Sequence, residues 1–170
     1  MTTTAKTRPE APMIGGEREQ LAGFLDFLRA TVVMKATGLT DEQARRSLIP
    51  SELMTVAGLL SHLTYVELYW FGIVFDGRSD PWAEPLKTDP DAEFRAALDL
   101  PLSQLIADYE AQCQLNSEIV AKLDLDAAAK TGRGEPVNLR WVLIHMIEET
   151  GRHAGHLDLL RELLDGSTGE

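Results

Sequence analysis

Three of the chain's four histidines fall in one stretch, NLRWVLIHMIEETGRHAGHLDLLRELLDG, residues 138–166, together with Glu149. His145, Glu149 and His153 recur at every fourth position, so on a helix each stands one turn above the last. His156 follows His153 at a spacing of three and lies beside it. Val142, Met146, Leu157, Leu160, Leu163 and Leu164 share the same broad arc, the stripe of a helix packed on a core. Thr150, Asp158, Arg161 and Glu162 take the outward arc, and Arg152 falls at the edge. Imidazoles and a carboxylate turned toward a core need partners there, because unpaired buried polar groups are costly. A divalent metal satisfies several of them at once; a hydrogen-bonded network of core histidines is the other solution.

The remaining histidine, His62, lies in GLLSHLTYVELYWF, residues 58–71, on a face with Leu59, Val66, Tyr69 and Ile73. Its helix is expected from residue 51 or 55 to residue 75 and is apolar almost all round, relieved by Ser61, Thr64 and Glu67. Such a helix is central, covered by neighbours on most sides. Taken alone, His62 reads as a core histidine. Facing the final helix, it could complete a site with Glu149 and His153.

Two further long helices frame this pair. The first opens with Glu17 and Glu19, buries Leu21, Phe24, Leu25, Leu28 and Val32, and stops near Gly38. A short helix follows, where Thr40 and Gln43 have capping-box spacing, and Pro50 ends that connection. Residues 76–90 read as a loop, with Asp-Gly, Asp-Pro and Glu-Pro breakers and Trp82 as a loop anchor or pocket wall. Residues 91–98 form at most a helical turn. The third long helix runs from Pro101 to about Leu125, residues 131–136 (TGRGEP) make a loop, and Asn138 caps the final helix. No strand pattern is evident. The expected architecture is all-α, a four-helix bundle over residues 17–166 with a long connection between helices two and three, preceded by a flexible tail, residues 1–16.

Composition narrows the function. A net charge of -11 argues against a nucleic-acid or anionic-membrane surface, both of which need basic patches. No apolar run is long enough to span a bilayer and no signal-peptide pattern opens the chain. The lone Cys113 excludes an internal disulfide and suits a reducing cytoplasm. The apolar second helix makes a homodimer plausible.

Three stretches carry a family resemblance: GLTDEQARRSLIPS at residues 38–51, GLLSHLTYVELYWF at 58–71 and IHMIEETGRHAGHLDLLREL at 144–163. On these the chain resembles the DinB-like superfamily of metal-binding four-helix bundles, in its actinobacterial mini-circle protein branch of unknown function. That family's metal triad takes one histidine from helix two and two residues four apart from helix four. The matching positions here are His62, Glu149 and His153. Many relatives carry histidine where this chain has Glu149; a glutamate there is similar to the mycothiol-dependent maleylpyruvate isomerases of the same superfamily. His156 replaces a glutamine common after the last ligand.

The resemblance implies a metal- and thiol-dependent S-transferase or isomerase, using a low-molecular-weight thiol such as mycothiol and a small electrophile. Imidazole and carboxylate suit zinc, nickel, iron or manganese. Three protein ligands with a free position describe a catalytic rather than a structural zinc site. His145 and His156 are expected to orient a ligand or a bound water, or to serve as an alternative ligand. Arg152 could meet a carboxylate of the thiol or substrate, or pair with a core acid such as Asp26. The competing class is a non-catalytic metal-binding or stress-linked structural dimer.

Overall fold

Four long helices form the bundle in the computed structural model, which describes residues 8–168. They are α1 (Glu17–Ala36), α3 (Val56–Glu67), α6 (Leu102–Lys122) and α7 (Leu139–Asp165). Short helices α2 (Asp41–Arg45), α4 (Pro85–Thr88) and α5 (Ala92–Ala96) lie in the connections. The helix ends follow the local chemistry. Thr40 and Gln43 form the expected capping box on α2. Thr55 Oγ1 accepts the Gly58 N–H at 3.0 Å and Asn138 Oδ1 accepts the Trp141 N–H at 2.9 Å. Gly166 closes α7 at φ 77°, where a residue with a Cβ would be strained.

A buried polar layer crosses the bundle at one level. Along α1 it is Arg29, between Leu25 and Val32; along α3 it is Glu67, between Leu63 and Phe71. On α6 it is Asn116, between Cys113 and Ile119, and on α7 it is Thr150, between Met146 and Ala154. Apolar clusters lie on either side, one holding Val32, Leu63 and Leu157, the other Leu25, Phe71 and Met146. Arg29 Nε and Nη2 donate to the two Glu67 oxygens at 2.7 and 2.6 Å. Asn116 Nδ2 donates to Glu67 Oε2 at 2.7 Å and to the Glu67 carbonyl at 2.9 Å. Charge at this depth is tolerated because both members are paired and hydrogen-bonded. Immediately beyond Glu67 the helix widens into a π-helix, Leu68–Ile73, which carries Tyr69 and Trp70.

The structure departs from the expected pattern in a few places. Residues 131–135 are the turn of a small antiparallel hairpin, β1 (Ala128–Lys130) paired with β2 (Pro136–Asn138). Three residues per strand are too few for an alternation to show. On α7 the core-facing row is Val142, Met146, Thr150, Ala154 and Leu157, so Thr150 is buried and Leu163 is exposed, the reverse of the wheel expectation. Phe24 on α1 is also exposed. Of the expected tail, residues 1–7 lie outside the described residues. The part from 8 to 16 holds no helix or strand, yet it lies against α1: Arg8 sits 4.2 Å over the Phe27 ring, and Gln20 Nε2 reaches the Met13 carbonyl at 3.4 Å. No described helix is long and apolar enough to cross a membrane.

Candidate metal centre

α3 and α7 face each other on the flank of the core, and there His62 meets the row of α7 that runs through Glu149 and His153. Glu149 Oε1 is 3.3 Å from His62 Nε2 and 3.2 Å from His153 Nε2. Each of the three residues offers one donor atom, and these atoms all lie within 4.8 Å of one another. The rings of His62 and His153 meet edge to face, with centroids 5.0 Å apart. Metal–nitrogen and metal–oxygen bonds of about 2.1 Å in a tetrahedron put neighbouring donors about 3.4 Å apart. The two separations from Glu149 Oε1 are close to that edge.

The hydrogen-bond arithmetic points the same way. His62 has a carboxylate at each ring nitrogen: Glu93 Oε1 at 3.2 Å from Nδ1, and Glu149 Oε1 at 3.3 Å from Nε2. A neutral imidazole has one N–H to give. With that proton on Nδ1, the Nε2 lone pair and the Glu149 oxygen confront each other, and either a second proton on the ring or a metal cation between them resolves the clash. The donor set therefore fits a divalent ion.

Protonation favours ligand-ready forms. Burial pushes the Glu149 carboxyl up, but the His62 hydrogen bond and the His153, His62 and Arg152 charges outweigh it, leaving it below its ordinary value. Burial also holds the His153 imidazole below its ordinary value; His62 adds to this, and Glu149 offsets only part of it. The result is an ionised carboxylate beside an imidazole that is readily neutral. The side chains of His62, Glu149 and His153 keep 19%, 13% and 11% of their exposure, so the cluster is mostly buried but not sealed from solvent.

The other expected residues fall at different distances from this point. His156 Nδ1 lies 3.3 Å from His153 Nδ1, on the side of the ring away from Glu149. His145 turns elsewhere, stacked on Trp141 at 5.0 Å and edge-on to Trp70 at 5.0 Å, within an aromatic cluster. Arg152 pairs with Glu148, and its Nη1 is 3.6 Å from Glu149 Oε2. It is not the partner of Asp26, which pairs with Arg29 at 3.0 Å. Tyr65, one turn past His62, meets Trp82 with centroids 6.4 Å apart, so the loop tryptophan forms a wall with it. Burial, then Asp80, push the Tyr65 hydroxyl up to about 12, which keeps it protonated at neutral pH.

Two residues gave no sign in the sequence. Glu93 and Phe94 of α5 both contact the His62 ring, Phe94 by stacking at 4.7 Å and 17°. Glu93 stands in a stretch with four other acids, and no spacing relates it to His62. Cys113 lines a pocket of about 570 Å³ between α1 and α6, and burial, with Glu67, raises its thiol pKa, which disfavours the reactive thiolate.

A four-helix bundle with this cluster between its second and fourth long helices defines an all-α, DinB-like protein. Within that class the chain belongs to the mycothiol-S-transferase family, whose model matches residues 20–166. The fold is similar to that of a conserved protein from Enterococcus faecalis, at 15% identity and a TM-score of 0.68, over 91% of this chain and 100% of that one. It is also similar to the mycothiol-dependent maleylpyruvate isomerase, at 15% identity and a TM-score of 0.62, over 82% of this chain. The match spans 60% of the isomerase chain. No curated protein sequence matches this chain.

Proposed function

We propose that this protein is a metal-dependent S-transferase that joins a mycothiol-type thiol to a small electrophile, with His62, Glu149 and His153 as the metal ligands. The observation that carries the proposal is the convergence of their donor atoms, all within 4.8 Å of one another, with Glu149 Oε1 3.3 Å from His62 Nε2 and 3.2 Å from His153 Nε2. A divalent ion held there supplies Lewis acidity, so that a thiol entering the site is ionised at neutral pH. Two histidines and one carboxylate leave a position for it.

The chain's own residues have separable tasks. Glu149 gives one oxygen to the cluster and directs the other toward Arg152 Nη1 at 3.6 Å. Arg152 is half exposed at the rim, placed to meet a carboxylate on the thiol or the electrophile. Tyr65 and Trp82 wall the approach with apolar surface. In the reaction the sulfur–carbon bond forms as the bond to the leaving group breaks, and the thiol proton passes to solvent. An isomerisation differs in that the sulfur–carbon bond breaks again after the substrate has rotated.

A second reading follows from the ligands' position on two different helices: an ion there also staples α3 to α7. One assay separates the two. Zinc-loaded protein is incubated with mycothiol and a chromogenic electrophile, and thioether product is followed by mass spectrometry. Product formation above the uncatalysed rate, abolished in His153→Ala and Glu149→Ala, supports the transferase. Loaded, folded protein that forms no product with a panel of electrophiles supports the staple.

A further inference from the structure

The connection between α3 and α6 reaches back to the cluster. Ser61 Oγ donates to the Glu93 carbonyl at 2.7 Å, which fixes α5 against α3 one residue before His62. Glu93 Oε1 then lies 3.2 Å from His62 Nδ1, and the Phe94 ring lies nearly parallel to the imidazole, 4.7 Å away. Gly58, one turn earlier on α3, makes room for this approach. A Cβ there would come within 3.0 Å of Phe94 Cδ1 and within 2.4 Å of the Leu53 carbonyl oxygen.

Glu93 is an expensive residue to place here. It is 5% exposed, and its Oε2 is buried with no hydrogen-bond partner among the described residues. A buried carboxylate needs a compensating positive charge. Its ion-pair partner in the structure is the His62 ring. A neutral imidazole offers an N–H but no charge. An imidazole carrying a cation on its far nitrogen offers both, since its Nδ1–H becomes a stronger donor.

We propose that Glu93 and Phe94 are positioning residues for His62: Glu93 holds the proton on Nδ1 so that Nε2 presents its lone pair toward Glu149 and His153, and Phe94 fixes the plane of the ring. The proposal rests on the metal reading above. It makes α5, a short helix in an otherwise irregular connection, a built part of the site. Phe94 and Gly58 supply the shape, and Glu93 supplies the charge.

The test compares zinc affinity, by competition with a chromophoric chelator, in the parent, Glu93→Gln, Glu93→Ala and Phe94→Leu. Glu93→Gln keeps an acceptor and removes the charge; Glu93→Ala removes both. The expected result is a graded loss, about 10-fold for the glutamine and up to about 100-fold for the alanine, with a smaller loss for Phe94→Leu. Imidazole 15N spectra of the metal-free proteins supply a second readout. His62 is expected to carry its proton on Nδ1 in the parent and to shift toward the other tautomer in Glu93→Ala and not in Phe94→Leu. A parent that binds zinc while both Glu93 variants bind within twofold of it overturns the positioning role and leaves the metal site standing. So does an unchanged His62 tautomer. A parent that binds no ion overturns both. Where a Glu93 variant does not fold, Phe94→Leu decides, because an affinity equal to the parent's contradicts the clamp.

Discussion

His153 and His156 face each other through like atoms, their Nδ1 nitrogens 3.3 Å apart. Two such nitrogens attract only if one carries a proton and the other does not. For His153 to present a bare Nε2 toward Glu149, its proton must sit on Nδ1, and His156 is the acceptor that keeps it there. His156→Leu, which has no acceptor, is expected to bind zinc about tenfold more weakly. His156→Gln, whose side-chain oxygen can accept, is expected to stay within a fewfold of the parent. Chelator competition measures both, and a leucine variant that binds as the parent does would show that His156 has no hold on its neighbour.

The Arg29–Glu67 pair governs folding rather than chemistry. Glu67→Leu leaves the buried Arg29 guanidinium without its two-pronged partner, and urea denaturation is expected to show a loss of about 3–5 kcal/mol. The double variant Arg29→Leu with Glu67→Leu is expected to recover much of that, because neither charge then stays buried alone. A single variant within about 1 kcal/mol of the parent would mean that solvent reaches the layer.

Acid acts on the metal-free protein in two stages. His153 has its pKa lowered in the fold from an ordinary value of 6.5. The unfolded chain therefore binds a proton that the fold refuses. The stability His153 contributes is complete above about pH 6.5 and is lost as pH falls from there to the folded value. Glu149, lowered from 4.5, contributes above about that pH, and its share is lost as pH falls through the lower folded value. Urea midpoints measured from pH 7.5 to 3.5 should fall in both intervals. In His153→Gln the upper decline should shrink most; the lower one should shrink less, because the His62 hydrogen bond to Glu149 remains while the His153 charge is lost.

Much of the bundle was legible because long helices repeat their instructions. The stop near Gly38 and the caps at Thr40 and Asn138 each predict a feature that the structure contains. The cluster was legible in part: Glu149 and His153 are four apart on one helix, while His62 joins them through the bundle arrangement and the family resemblance. What stayed hidden depends on partners distant in the chain. Arg29 finds Glu67 across 38 positions and His62 finds Glu93 across 31, and neither distance leaves a periodic trace. The placement of Thr150 and Leu163 failed for another reason: residue type outweighed position, since Thr150 is polar yet lies in the middle of the core row between Met146 and Ala154, and Leu163 is apolar yet falls off it. The row His145–Glu149–His153 lies beside the core row, and Leu163, five full turns past His145, points the way His145 does, off the core.

Metal content tests the central claim most directly. Tag-free protein, purified without chelators and reconstituted with zinc, nickel, iron or manganese, is assayed by mass spectrometry beside His62→Ala and His153→Ala. The expected result is close to one ion per chain in the parent and a large loss in both variants, with helical circular dichroism retained. A folded parent that holds no ion after reconstitution would contradict the metal centre and leave His62, Glu149 and His153 as a hydrogen-bonded network.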